Sequence, residues 1–473
     1  MQDQDIPLCV DLDGTLIRTD LLLESALALL RRNPFYLVCF IVWLARGRAH
    51  LKREVATRAR IDVASLPYDE RVLAWLREAG VGRRRVLCTA SDQSLADAVA
   101  AEVAGFETVL GSDGVRNLGG HGKRDALCEL YGERGFDYAG NAAVDLHVWR
   151  HARRAIVVNA PAGLVRRVRS ECEVERVFER CGGGWRTWLR ALRPHQWLKN
   201  TLVFVPMLAA HLAFAPEAML RALIAFVAFS LCASGAYVLN DLFDLEADRR
   251  HPGKCLRPFA AGELPPAAGL VAAPLLMLAA VAVAALLSPQ FVLVLLIYGV
   301  STLAYSLILK RVAMLDVVTL AALYTVRIIG GAVAIPVEAS FWLLAFSMFL
   351  FLSLAMVKRY TELRRVAASD ESKAAGRGYK VDDLALIQSL GTSSGYLSVL
   401  VLAFYINSTK SAALYRHHLV LWLLTPVLLY WISRVWLIAR RGDMHDDPVV
   451  FALTDRASLA VLIVFAAVIT LAI

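Results

Sequence analysis

The chain has 473 residues, 58% of them hydrophobic and 20% charged, with a formal net charge of +9 and a mean hydropathy of +0.52. That is too apolar for a protein soluble throughout and too charged for one embedded in lipid throughout, so the two characters must occupy different stretches. The positive balance follows from Lys and Arg in cytoplasmic membrane loops and calls for no nucleic-acid partner.

The start, Met1 to Pro7, is polar and acidic and does not read as a secretory signal. From there to residue 160, short apolar runs alternate with helical patterns. Ile6 to Val10, Arg85 to Thr89, Thr108 to Gly111, Asp137 to Gly140 and Arg154 to Asn159 are expected strands. This alternation predicts an α/β (Rossmannoid) domain over 1–180, a parallel sheet with helices on both faces. An insert at about 20–65 is expected to form a helical cap. Within it, Pro34 to Leu44 is too short to cross a bilayer and is flanked by Arg and Lys. It reads either as a buried cap helix or as a helix lying in the membrane interface. Six of the eight cysteines (Cys9, Cys39, Cys88, Cys128, Cys172, Cys181, Cys232, Cys255) fall in this part, and none has ligand spacing, which fits reduced cytoplasmic thiols.

Cys181-Gly182-Gly183-Gly184 marks a boundary. A linker and interfacial helix over 181–199 interleaves Trp185, Trp188 and Trp197 with Arg186, Arg190, Arg193 and Lys199. The remainder, 200–473, is expected to be an all-α polytopic membrane domain of about nine transmembrane helices, near 200–215, 218–240, 267–287, 290–309, 315–336, 341–357, 392–409, 417–438 and 456–473. Lys and Arg concentrate in the links Arg249 to Arg257, Lys310 to Arg311, Lys358 to Lys380 and Arg440 to Arg441. These place one side in the cytoplasm together with the N-terminal domain, and the C-terminus on the periplasmic or extracellular side of a bacterial inner membrane.

Two motifs carry chemistry. In Val10-Asp11-Leu12-Asp13-Gly14-Thr15, two carboxylates follow a strand, suited to a nucleophile and a general acid/base around Mg²⁺, and Gly14 permits the turn that exposes them. In Asn240-Asp241-Leu242-Phe243-Asp244-Leu245-Glu246-Ala247-Asp248, Asn240, Asp244 and Asp248 recur every fourth residue and on a helix would share one face. Acids at the mouth of a membrane helix are costly without a cation between them, and Mg²⁺ with substrate phosphate is the natural counter-charge. Arg250, His251, Lys254 and Arg257 follow.

The first motif resembles the haloacid dehalogenase superfamily, mostly phosphatases, over about 6–160. The resemblance implies Asp11 as nucleophile, Asp13 as acid/base, Thr89 as a phosphoryl-binding residue and Lys123 as the stabilising cation. It also implies Asp11, Asp13, Asn141 and Asp145 around Mg²⁺. Asn141 stands where that family usually has Asp, so one ligand carries no charge.

The second motif, with Arg257-Pro258 and Gly262, resembles the UbiA-type intramembrane prenyltransferase superfamily. The resemblance implies Asn240, Asp241, Asp244 and Asp248 as Mg²⁺ ligands, with Asp244 and Asp248 central to catalysis. The second DxxxD region of that superfamily is missing. In its place stand Lys358-Arg359-Tyr360 and Arg377-Gly378-Tyr379-Lys380-Val381-Asp382-Asp383. With Arg193-Pro194-His195-Gln196-Trp197-Leu198-Lys199-Asn200, these resemble the polyprenyl-phosphate phosphoribosyltransferase branch. That branch implies phosphoribosyl diphosphate as donor and a polyprenyl phosphate lipid as acceptor. Tyr379 and Asp382 then join the catalytic set, and Lys199, Arg249, Lys254, Arg257, Lys310, Lys358 and Arg359 bind the two anions. The fused α/β domain would remove the 5-phosphate to give polyprenyl-phosphoryl ribose, a route to lipid-linked arabinofuranose. The competing expectations are an aromatic prenyltransferase of quinone or haem biosynthesis, and a membrane anchor for a phosphatase.

Overall fold

The computed structural model describes residues 6–79, 83–180, 182–367, 378–444 and 448–473. The chain divides into two compact units, one of residues 1–192 with 237–273 and one of 193–236 with 274–473.

The first unit is built on six strands, β1 Leu8–Val10, β2 Arg85–Asp92, β3 Thr108–Ser112, β4 Asp137–Gly140, β5 Ala155–Val158 and β6 Val174–Phe178. They form one sheet in the order β3-β2-β1-β4-β5-β6, all pairs parallel. β1 and β5 are apolar at every position, and β2 and β4 are polar only toward their ends, because helices cover both faces. Leu8, Val10, Leu87, Ala139 and Ile156 enter one core. Cys9, Val86, Cys88, Tyr138 and Val157 enter the other. The five predicted strands are all present. The sixth escaped prediction because Glu175 and Arg176 of this edge strand face solvent, which breaks the apolar run.

The predicted insert after β1 is helical: α1 Leu21–Arg32, α2 Tyr36–Ala45 and α3 Arg48–Arg58. Asp20 caps α1 by accepting from Leu23 N. None of the ten residues of α2 is buried, which rules out the buried-cap alternative for Pro34 to Leu44. Helices α4 Glu70–Ala79, α5 Gln93–Val103, α6 Gly120–Tyr131, α7 Leu146–Trp149 and α8 Ala162–Glu171 connect the strands, and α9 Trp185–Leu192 follows the sheet.

Beyond α9 the predicted first span at 200–215 does not exist. Its place is taken by a 3-10 stretch Pro194–Phe204 and a five-residue helix, α10 Val205–Ala209, with Pro206 at its start. Then come α11 Pro216–Phe243, α12 Leu245–Arg250, α13 Pro266–Ala284, α14 Pro289–Leu307, α15 Leu315–Ala334, α16 Phe341–Ala367, α17 Leu384–Ile406, α18 Thr409–Leu414, α19 Leu424–Arg441, α20 Pro448–Thr454 and α21 Arg456–Ala472. Among the described residues seven helices are long and apolar enough to cross a membrane, or eight if α20 and α21, bent by 72°, make one crossing. The expected nine is therefore corrected. Small residues let these helices approach closely: a Cβ on Gly391 of α17 would lie 2.2 Å from the Trp436 ring of α19.

Candidate functional site

The C-terminal ends of β1 and β4 are where the sheet order reverses, the place where open α/β sheets bind ligands. Asp11 follows β1, Thr89 lies near the end of β2, and Asn141 follows β4. Asp11 Oδ1 accepts from Leu12 N (2.8 Å) and from Lys123 Nζ (2.7 Å). Lys123 also donates to the Tyr138 hydroxyl (2.8 Å), which donates to Asp145 Oδ1 (3.1 Å). Asp145 Oδ2 accepts the backbone N–H groups of Asn141 and Ala142 (3.0 and 2.9 Å). Both oxygens of Asp145 are thus engaged, and it holds the Asn141 loop in place. Asp13 accepts from Leu21 N (2.8 Å) and from the Ser91 hydroxyl (2.7 Å). Thr89 is fully buried and its hydroxyl oxygen accepts from Ser91 N (3.0 Å). Gly14 has φ +75°, and a Cβ there would fall 1.9 Å from the Asn141 amide nitrogen, so only glycine lets that side chain lie against the motif.

Burial raises the Asp11 carboxyl to about 6; Lys123 pulls the other way, and Asp145 adds to the rise. Burial, then the Asp20 charge, raises Asp13 to about 7. Burial alone would lower Lys123, but Asp11 and Asp145 outweigh it and hold the ammonium protonated. The motif therefore offers a lysine-paired carboxylate beside a carboxyl able to exchange a proton near neutrality. Sequence reasoning missed Ser91, Tyr138 and Lys52. Lys52 reaches from α3 to donate to Ala90 O (2.6 Å) and Asn117 Oδ1 (2.8 Å). None of the three belongs to a motif; each arrives through the fold.

A hard cation is matched by Asp11 Oδ2 and the Asn141 amide oxygen, neither of which accepts a hydrogen bond from another of the described residues. Among the described residues no three His, Cys, Asp or Glu side chains gather into a metal cage. The donor set is thus short of charge, as the Asn141 departure implied.

The second motif also belongs to the first unit from Tyr237 onward. Its expected single helical face is interrupted: α11 ends at Phe243, Asp244 adopts φ −102°, ψ 12°, and α12 begins at Leu245. The carboxylates that converge are instead Asp241 and Asp248, which both accept from Arg257 Nη1 (3.2 and 2.5 Å) and are 2% and 4% exposed. Asp244 pairs with Arg31 of α1 (3.0 Å), and Asn240 is half-buried. Arg249, expected to bind substrate, is engaged by Glu24 of α1 (2.8 and 2.5 Å) and by Ala260 O (3.0 Å). Its side chain is nearly buried. Arg250 bridges Asp62 (2.8 Å) and Glu246 (2.6 Å). Lys254 is exposed. A cavity of 260 Å³ opens among Glu24, Leu27, Arg31, Arg58, Phe243 and Glu246. The fit to a divalent cation is one of shape and oxygen chemistry: two carboxylates already meet at one positively charged nitrogen.

In the second unit, Arg359 is fully buried and pairs with Asp316 (2.8 Å) and with Glu362. The Tyr379 hydroxyl donates to Asp316 (2.5 Å) and accepts from Met314 N (2.8 Å). These contacts tie Arg359 and Tyr379 to the same carboxylate, Asp316. Asp382 is exposed, and Asp383 Oδ2 accepts from Lys380 N (2.9 Å). Lys199 is buried, and Lys310 and Lys358 are half-buried. Arg377 and Cys181 lie outside the described residues. Sequence reasoning also missed Arg327, a 5% exposed cation within α15. It donates to Asn200 Oδ1 (2.8 Å), the Tyr298 hydroxyl (2.8 Å) and Leu323 O (2.6 Å), and lies over the rings of Tyr298 and Tyr324.

Residues 201–469, more than half of the chain, match the UbiA prenyltransferase family. The chain belongs to that family. It is accordingly a multi-pass membrane transferase, and the UbiA match covers all seven of the long apolar helices found among the described residues. The chain is 37% identical over 460 residues to the uncharacterized protein y4nM of Sinorhizobium fredii, an alignment spanning 96% of this chain and 89% of that one. A decaprenyl-phosphate phosphoribosyltransferase of Mycobacterium tuberculosis is 38% identical over 179 residues, 37% of this chain and 59% of that protein. Among solved structures, a UbiA homolog from Archaeoglobus fulgidus bound to GPP and Mg²⁺ is 16% identical, covering 60% of this chain and 99% of that one, with a TM-score of 0.47.

Proposed function

We propose that the membrane domain transfers 5-phosphoribose from phosphoribosyl diphosphate to a polyprenyl phosphate, and that the α/β domain, a haloacid dehalogenase-like phosphatase, then removes the 5-phosphate. The observation that carries the first half is the meeting of Asp241 and Asp248 at a single nitrogen of Arg257. A pair of buried carboxylates closing on one positive centre suits a cation-bound diphosphate. Identity to a decaprenyl-phosphate phosphoribosyltransferase over 179 residues supports the choice of donor and acceptor.

In this reading Asp241, Asp248 and Asp244, with Asn240, would hold Mg²⁺, whose charge would offset that of the diphosphate leaving group. Lys254, in the segment that follows the motif, would add positive charge for the anionic substrates. The acceptor is already an anion, so no strong base is required.

In the α/β domain Asp11 attacks the phosphorus of the 5-phosphate. The ribose oxygen leaves with a proton from Asp13, whose carboxyl at about 7 is suited to give it. Water, deprotonated by the same Asp13, then releases phosphate from Asp11. Lys123, fixed between Asp11 and Tyr138, holds positive charge beside the nucleophile throughout. Product of the first site would reach the second at raised effective concentration because both belong to one chain. The cytoplasmic face of a bacterial inner membrane is the location this order of steps requires.

The test is mass spectrometry of lipid made by the full-length protein from labelled phosphoribosyl diphosphate, polyprenyl phosphate and Mg²⁺. Wild type should yield polyprenyl-phosphoryl ribose, Asp11→Asn the phosphorylated lipid only, and Asp248→Asn neither. Release of diphosphate from a prenyl diphosphate with an aromatic acceptor instead would overturn the transferase assignment. An unchanged lipid product in Asp11→Asn would overturn the phosphatase half.

A further inference from the structure

Helix α2 is an apolar element that the protein leaves uncovered. Its sequence, Tyr-Leu-Val-Cys-Phe-Ile-Val-Trp-Leu-Ala, contains no charged residue, and no residue of it is buried. One side is fastened to the cap: Tyr36, Phe40 and Trp43 contact one another ring to ring at 5.9 to 6.4 Å and pack on Leu29, Val55 and Ala59. The other side offers Phe35, Leu37, Val38, Ile41, Val42 and Leu44 to the outside, with Phe35 78% and Ile41 66% exposed. A contiguous set of this size on one short helix exceeds the scattered apolar residues of ordinary surfaces.

The flanks state what covers it. From Arg31 to Arg53 the chain has six Lys or Arg residues and no Asp or Glu; Arg31, Lys52 and Arg53 turn to Asp244, Asn117 and Asp113, and Arg32, Arg46 and Arg48 stand exposed at the two ends of α2. At 1.5 Å per residue, the ten residues of α2 extend about 15 Å, half of a hydrocarbon core, so the helix cannot cross. A short apolar helix with arginines at both ends matches the interface of an anionic leaflet, aliphatic side chains among acyl chains and guanidinium groups among phosphates. The same chain spans a membrane several times and so keeps a bilayer within reach of this helix.

We propose that α2 is a monotopic membrane helix, embedding the cap of the α/β domain in an anionic lipid leaflet. If the phosphatase reading above holds, the cap then meets its substrate as a phosphate ester carried on lipid.

The test uses full-length protein reconstituted in phosphatidylglycerol-containing vesicles, with an environment-sensitive fluorophore on Ile41→Cys or on Val115→Cys. Val115 is 92% exposed in a loop of the same domain and carries no apolar neighbourhood, so it serves as the aqueous reference. In both, Cys39 and other reactive cysteines are replaced by Ser. At position 41 the emission should shift to the blue, lose intensity to acyl-chain spin-labelled lipid and resist aqueous iodide; at 115 the reverse should hold. An iodide-accessible probe at 41 that lipid-borne quenchers leave untouched overturns the proposal. So does protection that vanishes when the protein is diluted into excess lipid, the sign of a second copy as the occupant. These readings need no enzymatic activity, so they stand apart from the functional assignment. Leu37→Glu/Ile41→Glu, on exposed positions, should cut hydrolysis of a lipid-borne phosphate severalfold and spare a soluble phosphate ester; equal loss on both refutes the link to substrate.

Discussion

The ion pair between Glu24 of α1 and Arg249 of α12 lends itself to a quantitative test. Its two hydrogen bonds are 2.8 and 2.5 Å, its side chains are 5% and 6% exposed, and the Thr19 hydroxyl also donates to Glu24. Glu24→Ala strands a guanidinium that keeps Ala260 O as its remaining hydrogen-bond partner. Removing one partner of a buried pair costs about 3–5 kcal/mol. If the contact opens locally, that cost is a rise of roughly two to three and a half decades in the opening equilibrium, at 1.4 kcal/mol per decade. Hydrogen exchange of the amides from Leu245 to Arg250, followed by mass spectrometry in detergent or nanodiscs, reads it directly. Glu24→Met/Arg249→Met should recover most of the protection, because apolar side chains of similar volume replace buried ion pairs at little cost. Exchange in Glu24→Ala within about threefold of wild type, or a double variant as poor as the sum of the singles, would refute the pair as a buried coupling.

Asp69 is fully buried among Arg71 (2.7 Å), Arg18 (3.1 Å) and Asn159 (3.0 Å). Burial alone would raise its pKa, but the hydrogen bonds from Arg71, Arg18 and Asn159 outweigh this and hold it well below the usual carboxylate range. A depressed carboxyl stabilises the fold above its unfolded value, about 3.9, and that contribution fades as pH falls toward the folded value. Asp69→Asn should therefore cost about 2 kcal/mol at neutral pH, and the gap between variant and wild-type melting temperatures should begin to narrow below about pH 4 and go on closing as pH falls toward the folded value. Hydrolysis of a soluble phosphate ester should follow a bell-shaped pH profile, with limbs set by Asp11 near 6 and Asp13 near 7. Raising Mg²⁺ should move the acid limb downward, since coordination favours the carboxylate; a flat profile between the two limbs and beyond refutes the assignment. Arg327→Met removes a cation whose protein partners are neutral; it should leave folding intact by fluorescence size-exclusion while lowering transferase kcat/KM at least tenfold, the size of about 1.4 kcal/mol. Unchanged kinetics would make Arg327 a purely structural residue.

What could be read from the residues alone followed the range of the forces involved. Strands β1 to β5 were legible because a sheet covered on both faces leaves an uninterrupted apolar run; β6, with Glu175 and Arg176 outward, leaves none. Asp11, Asp13 and Gly14 were legible as a local unit because the turn and its carboxylates lie within four residues. Ser91 bonds Asp13 across 78 positions, Tyr138 reaches Asp11 through Lys123, and Lys52 bonds Ala90 O and Asn117; Ser91 lies two residues past Thr89, yet its type and spacing alone do not mark it as a partner of Asp13. Apolar composition over 200–215 suggested a crossing, but Pro206 and the buried polar pair Lys199 and Asn200 favour a 3-10 turn and a short helix instead. Spacing by four predicted one face for Asn240, Asp244 and Asp248. The turn at Asp244 re-aims them, and Asp241, which spacing had left beside the set, becomes the partner of Asp248.

That re-aiming bears on how a cation would enter the motif. Asp241, Asp244 and Asp248 each meet an arginine, and a divalent cation must displace or join it. The Arg31–Asp244 pair is 31% and 15% exposed, and a pair so hydrated contributes little, of the order of 0–1 kcal/mol. Asp241 and Asp248 are 2% and 4% exposed around Arg257, and their desolvation makes an uncompensated state far more costly. A cation therefore meets less resistance at Asp244 than at the Arg257 pair. Arg31→Ala should tighten cation binding at the motif modestly, whereas Arg257→Ala should leave two close carboxylates without a counter-charge and make binding of Mg²⁺ a condition of local folding. Titration calorimetry on both variants separates the cases, and weaker cation binding in Arg257→Ala than in wild type would show that the guanidinium cooperates with the metal and does not stand in its place.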